Sequence, residues 1–202
     1  MYEFAREIAM SGGSASSFPN NISTFFHEGK NLTFTAMAHK YQVNMVHWDS
    51  KLEGFTSDQI QVKEPSTDKP LIVVQAKYVL VSNRSFPLLA VASTGGAMVF
   101  DPNNGKMLAY TALPKEDDQT MRFVRGISYV DNLIMMGTHT GEILIFNCSG
   151  ESSVKPKPTV KEHTVPIVDI ATCHFDDLTC TCDVDGHVIV WSKNMKSTTK
   201  KI

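Results

Sequence analysis

Thr181-Cys182-Asp183-Val184-Asp185-Gly186-His187-Val188-Ile189-Val190-Trp191 reads as a strand, a tight turn at Asp185-Gly186, and a β-branched strand closing on an indole. Asp-Gly between such runs signals a hairpin, because both residues accept the positive φ that a tight turn requires. The same grammar recurs twice upstream. Met136 to Phe146 turns at Thr140-Gly141 and closes on Phe146, and Ala90 to Phe100 turns at Gly95 and closes on Phe100. The three closing aromatics are 46 and 45 residues apart. Self-similarity at that period marks a four-stranded unit stacked on copies of itself, the pattern of an all-β propeller.

Working outward, four blades are expected, at about 14–49, 71–113, 122–160 and 163–192, behind a leading segment 1–13 and before a basic tail 193–202. The first blade reads as three strands, within Ile22–Phe26, Leu32–Ala38 and Val43–Trp48, followed by a long polar surface loop over 49–70 that holds Pro65 and Pro70. In the second, Pro102-Asn103-Asn104-Gly105 carries strong turn chemistry. The last blade stops after its third strand. Four blades are few for a ring, so a partial or open propeller is expected, and a bare blade edge offers a route to self-association.

Composition narrows the function classes. The 202 residues carry 19 Lys and Arg against 21 Asp and Glu, a formal charge of −2, so no overall basic field attracts nucleic acid or anionic lipid. No run of 18 uncharged apolar residues is present, and no membrane span is expected. Met1 to Met10 carries Glu3, Arg6 and Glu7 and lacks the apolar stretch of a secretory signal, which points to the cytoplasm. In that compartment Cys148, Cys173, Cys180 and Cys182 read as reduced, buried thiols. Lys193, Lys196, Lys200 and Lys201 have no interleaved aromatics to stack on bases, so the tail reads as solvated charge.

Two clusters could carry chemistry. His163, Thr181 and Asp185 supply the residue types of a hydrolase triad, yet Thr181 sits mid-strand without a Gly-rich nucleophile turn or an oxyanion arrangement. Cys173-His174, Cys180, Cys182 and His187 supply zinc-ligand chemistry, but Cys-x-Cys on one strand is not the Cys-x2-Cys knuckle of a structural zinc site. No metal and no cofactor is therefore expected. A zinc-stabilised binding module and a hydrolase acting through Thr181 and His163 stand as the alternatives.

His163, Thr181 and Asp185 lie 28, 10 and 6 residues before Trp191. With this set placed, the chain resembles the WD-repeat family. The likeness is also carried by Asn31-Leu32-Thr33-Phe34, Arg125-Gly126-Ile127, Gly141 to Phe146 and Pro166 to Thr172. The resemblance implies a structural tetrad of His163, Thr181, Asp185 and Trp191, in which the imidazole bridges carboxylate and hydroxyl while the hydroxyl accepts the indole N–H. It implies that Thr94 and Thr140 stand at the Asp position, Ala90 and Met136 at the hydroxyl position, and Phe100 and Phe146 at the Trp position of the other blades. It implies a non-catalytic adaptor lacking the last blades of its family. The dipeptide Trp48-Asp49 has no Asp-Gly turn at the matching distance, and reads as coincidence or a worn repeat.

The expected function is a non-enzymatic scaffold or adaptor that binds other proteins through its loops. Arg122 and Arg125, at a loop-to-strand junction, and His139 and Val184, beside tight turns, fall on one expected rim. Arg125, His139 and Val184 are the candidate partner-binding residues.

Overall fold

The computed structural model describes residues 4, 7, 18–51, 54–114, 121–151 and 153–198. Among the described residues fifteen strands form four antiparallel sheets, each built in chain order from its inner to its outer strand. The first sheet is β1 (Ile22–His27), β2 (Leu32–His39), β3 (Gln42–Asp49) and β4 (Phe55–Gln61). The second is β5 (Val73–Val79), β6 (Leu88–Ser93), β7 (Gly96–Asp101) and β8 (Lys106–Ala112). The third is β9 (Val124–Val130), β10 (Leu133–Thr138), β11 (Glu142–Cys148) and β12 (Val154–Lys161). The fourth holds three strands: β13 (Ile167–Cys173), β14 (Leu178–Asp183) and β15 (Val188–Trp191). Trp191 and Ser197 extend it by one bridge.

β4 lies where the sequence reads as loop. Its composition hides it: along Phe55–Gln61 only Ile60 is buried, so the two-residue alternation of a half-buried strand never develops. An outer strand meets solvent on its free edge. For the same reason β12 tolerates Pro156 and Pro158, which cannot donate to a ladder, at an edge.

Central strands are buried on both sides, and successive residues serve different neighbours. On β6, Leu89 and Val91 join Phe34, Met45, Tyr78 and Phe100 between the first and second sheets. Ala90 and Ala92 point the other way, joining Ile134, Met136, Leu144 and Phe146 between the second and third. Met135, Ile143 and Ile145 meet Ile170, Ile189 and Trp191 between the third and fourth. Each fully buried large side chain contributes roughly 1.5–3 kcal/mol, so these three apolar seams dominate the cohesion of the array.

The inner strands converge on a common axis. A cavity of about 250 Å³ there is lined by Ile22 and Ser23 of β1, Gln75 to Lys77 of β5 and Asp169 to Ala171 of β13. The Gln75 side chain accepts from the Gly126 N–H at 3.0 Å, and Lys77 Nζ donates to Ile127 O at 3.1 Å. Gly126 has φ +76, and a Cβ there would stand 2.9 Å from the backbone of Ile170. Only glycine lets β9 and β13 approach so closely. Register shifts recur near the start of β5, β9 and β13, the same place in three inner strands.

At the two ends of the array, one face of each terminal sheet has no sheet against it among the described residues. The first presents Ile22, Phe26 and Phe55, each more than a third exposed. The fourth presents Leu178, Cys180, Val188 and Val190 on the side opposite Thr181.

Candidate functional site

His163 enters the fourth sheet from the β12–β13 loop and is fully enclosed. Its Nδ1 lies 2.8 Å from Asp183 Oδ2, and its Nε2 lies 2.7 Å from Thr181 Oγ1. Trp191 Nε1–H donates to the same Oγ1 at 2.9 Å. Every proton finds an acceptor if Nδ1–H donates to the carboxylate and the hydroxyl donates to Nε2. All four side chains are buried, so each bond replaces an orphaned polar group that would cost about 1–3 kcal/mol.

The carboxylate of this network is Asp183, and the assignment to Asp185 is corrected. Strand pleating explains the difference. Residues two apart share a face, so Thr181 and Asp183 both point at His163, whereas Asp185 lies exposed in the turn. Asp185 contributes only its backbone N–H, which donates to Asp183 Oδ1 at 3.1 Å. The N–H of His187 reaches the same oxygen at 3.0 Å, and His187 Nδ1 lies 3.3 Å from Oδ2. Burial alone pushes the Asp183 carboxyl up, but these donors and His163 outweigh it and hold the group down at about 2.

The same position recurs in reduced form. Ser93, Thr138 and Asp183 end β6, β10 and β14, at intervals of 45 residues. Ser93 Oγ accepts from the N–H groups of Gly95 and Gly96, and Thr138 Oγ1 accepts from that of Glu142. These residues, rather than Thr94 and Thr140, are the counterparts of the buried carboxylate. Each binds its own hairpin turn, and Asp183 reaches an imidazole as well. Register places Val91, not Ala90, opposite Met136 and Thr181 in the series, because the β6–β7 turn is one residue shorter. Trp48 pairs with Thr33, the second residue of β2, as Phe100 pairs with Leu89 on β6. It therefore holds the place of Phe100, Phe146 and Trp191, as a worn repeat would.

Hydrolytic use of Thr181 has no geometric support. Thr181 is 1% exposed, and its hydroxyl is already engaged by an indole and an imidazole. Zinc finds no site either: among the described residues no three His, Cys, Asp or Glu side chains converge as ligands. The cysteines are unpaired, and the expectation that all four are buried is corrected. Cys148 is buried, Cys182 half-buried, and Cys173 and Cys180 exposed, because among the described residues no sheet lies against their face of the fourth sheet.

Connections at one end of the sheets form the rim on which partner contacts are expected. Val184 stands there with 58% exposure. Arg125 is half-buried at the start of β9, and Arg122 beside it donates to Pro114 O at 2.9 Å. His139 is corrected: its ring is 8% exposed and packs on Phe123 at 6.0 Å, while its N–H donates to Phe123 O. Sequence reasoning missed Phe18, Val74, Met121 and Phe123, which line a cavity of about 120 Å³ with Arg125. They come from separate segments, and none carries a local signal. Of the basic tail, Lys193 stands 3.9 Å from Asp177, while Lys200 and Lys201 lie outside the described residues. The leading segment 1–13 lies outside them too, apart from Phe4 and Glu7.

The family model described as WDR54 matches residues 1–199. The chain belongs to the WDR54 family. Among relatives, WD repeat-containing protein 54 of Homo sapiens is 26% identical over 199 residues, spanning 95% of this chain and 59% of the human protein. The Mus musculus protein of the same name is 25% identical over 175 residues, spanning 85% of this chain and 52% of that one. This WDR54-family chain thus spans between half and three fifths of the curated relatives it matches. A chain in the crystal structure of the mitotic checkpoint complex superposes with a TM-score of 0.61 at 14% identity, over 97% of this chain and 60% of that one. That likeness supports the WD-type propeller architecture of this WDR54-family chain and nothing about its partners.

Proposed function

We propose that this chain is a non-enzymatic scaffold or adaptor that holds other proteins on its loop rim, in the cytoplasm. The observation that carries this reading is a division of labour. The residues with catalytic potential, His163, Thr181 and Asp183, are sealed inside a sheet seam. Exposed apolar side chains, among them Ile72, Met121 and Val184, stand on loops anchored by rigid strands. A preformed rim binds without the cost of ordering loops, and this favours affinity from a few well-placed side chains. Membership of a WD-repeat family agrees with such a role. Affinity capture from cells with the 202-residue chain, read by mass spectrometry against a charge-reversed rim variant, tests it. Proteins retained by the native rim and lost from the variant support the scaffold. Capture of nothing beyond background sinks it.

A second reading, self-association through a bare sheet face, rests on the exposure of Ile22, Phe26 and Phe55. Light scattering that reports a monomer at every concentration tried removes it.

A further inference from the structure

Ile72, Met121, Phe18 and Tyr41 are each more than a third exposed, and they border two adjoining depressions on the loop rim. The larger, a groove of about 800 Å³, runs from Tyr41 past Leu71 and Gly95 to Leu113. The smaller is the cavity of about 120 Å³ walled by Phe18, Val74 and Phe123. Thr94 and Met121 line both, so the apolar recess adjoins one side of the groove. The recess is of a size to seat one branched or aromatic side chain.

The charges around the groove are unequal. Among the described residues Arg122, Arg125 and Lys69 line it with a single carboxylate, that of Glu64, which is engaged by the Thr67 hydroxyl in its own loop. Among the described residues no carboxylate lies within ion-pair distance of Arg122 or Arg125. Arg125 is half-buried and lines the recess, where a guanidinium that meets no carboxylate among the described residues favours an incoming one. Arginine beside aromatic walls is also the composition of interface hot spots.

We propose that this groove docks an extended peptide segment of a partner protein, with an apolar side chain in the Phe18–Val74–Phe123 recess and an adjacent Asp or Glu on Arg125. The proposal rests on the scaffold reading and gives it a partner chemistry. Arg122 stands next along the groove and takes a second acidic residue.

An array of immobilised octapeptides tests the assignment. Each carries Leu, Ile, Met or Phe beside Glu, and matched arrays replace Glu by Gln or Lys, or the apolar residue by Ala. The native 202-residue chain should retain the apolar–Glu peptides and bind the Gln counterparts about tenfold less or worse, with binding that falls as salt rises. Arg125→Glu should transfer preference to the Lys array. Met121→Glu, at a site 73% exposed and therefore safe for folding, should weaken all apolar–Glu binding. Thermal melts of both variants confirm that they are folded. Equal retention of Glu and Gln peptides, retention of none, or indifference to both substitutions overturns the groove. Cellular partners captured equally by native chain and Arg125→Glu would also overturn it while leaving the scaffold standing.

Discussion

His163 and Asp183 meet in the interior at 2.8 Å, twenty residues apart in sequence, with Thr181 on the opposite ring nitrogen. Their junction ties the loop entering the fourth sheet to the hairpin that closes it. Apolar seams hold the other sheets without such a network, so the network adds specificity to a sheet with one face uncovered.

Asp183→Ala leaves a buried imidazole and two turn N–H groups without their acceptor. A loss of about 2–4 kcal/mol is expected. Asp185→Ala removes only an exposed carboxylate and should stay within about 0.5 kcal/mol. Urea denaturation of the two variants checks the assignment, and equal losses would reject it.

Acid should weaken the protein through the same carboxylate. Its folded-state value of about 2 lies below the unfolded value of 3.8, so its contribution is complete above roughly pH 5. That stability fades as pH falls through 4 toward 2 and amounts to about 2 kcal/mol. Melting temperatures across this range should fall less steeply in Asp183→Asn, which has no proton to take up. Parallel curves would place the acid sensitivity elsewhere.

Gly141 has φ +82, and a Cβ on it would lie 2.4 Å from His163 O. Gly141→Ala therefore combines left-handed strain with a collision against the loop that holds the imidazole. A loss of about 2 kcal/mol or more is expected, by the same measurement. Gly186 also has positive φ but open space around it, so Gly186→Ala should cost about 1 kcal/mol, the strain alone.

Thiol reactivity should sort by face. Burial pushes the Cys148 thiol up to about 11, leaving almost no thiolate at neutral pH, and its surface is enclosed. Cys173 and Cys180 are exposed. Ellman's reagent should titrate these two first, Cys182 more slowly, and Cys148 only after denaturant is added. Rapid reaction of Cys148 in native buffer would contradict its burial with Ile134 and Phe146 between the second and third sheets.

The period of the closing aromatics made the propeller legible, because three hairpins at one spacing allow few other architectures. Within that frame, errors came wherever a neighbour had to be known. The WD-repeat likeness points to Asp185, whereas the two-residue pleat from Thr181 points to Asp183. β4 was invisible because an outer strand faces water and shows no alternation. Cys173 and Cys180 looked like interior residues because nothing in their strands says which face is covered. The groove around Arg125 was legible only at the arginine itself, since its apolar walls converge from Phe18, Val74, Met121 and Phe123 across more than a hundred residues.

The most direct test of the account is a double-mutant cycle between His163 and Asp183, read by urea denaturation of His163→Ala, Asp183→Ala and the pair. A shared buried network predicts strong non-additivity, with the second substitution costing at least about 1 kcal/mol less once the first is made. Losses that simply add would mean that the two side chains act independently, and the stapled fourth sheet would fall with them.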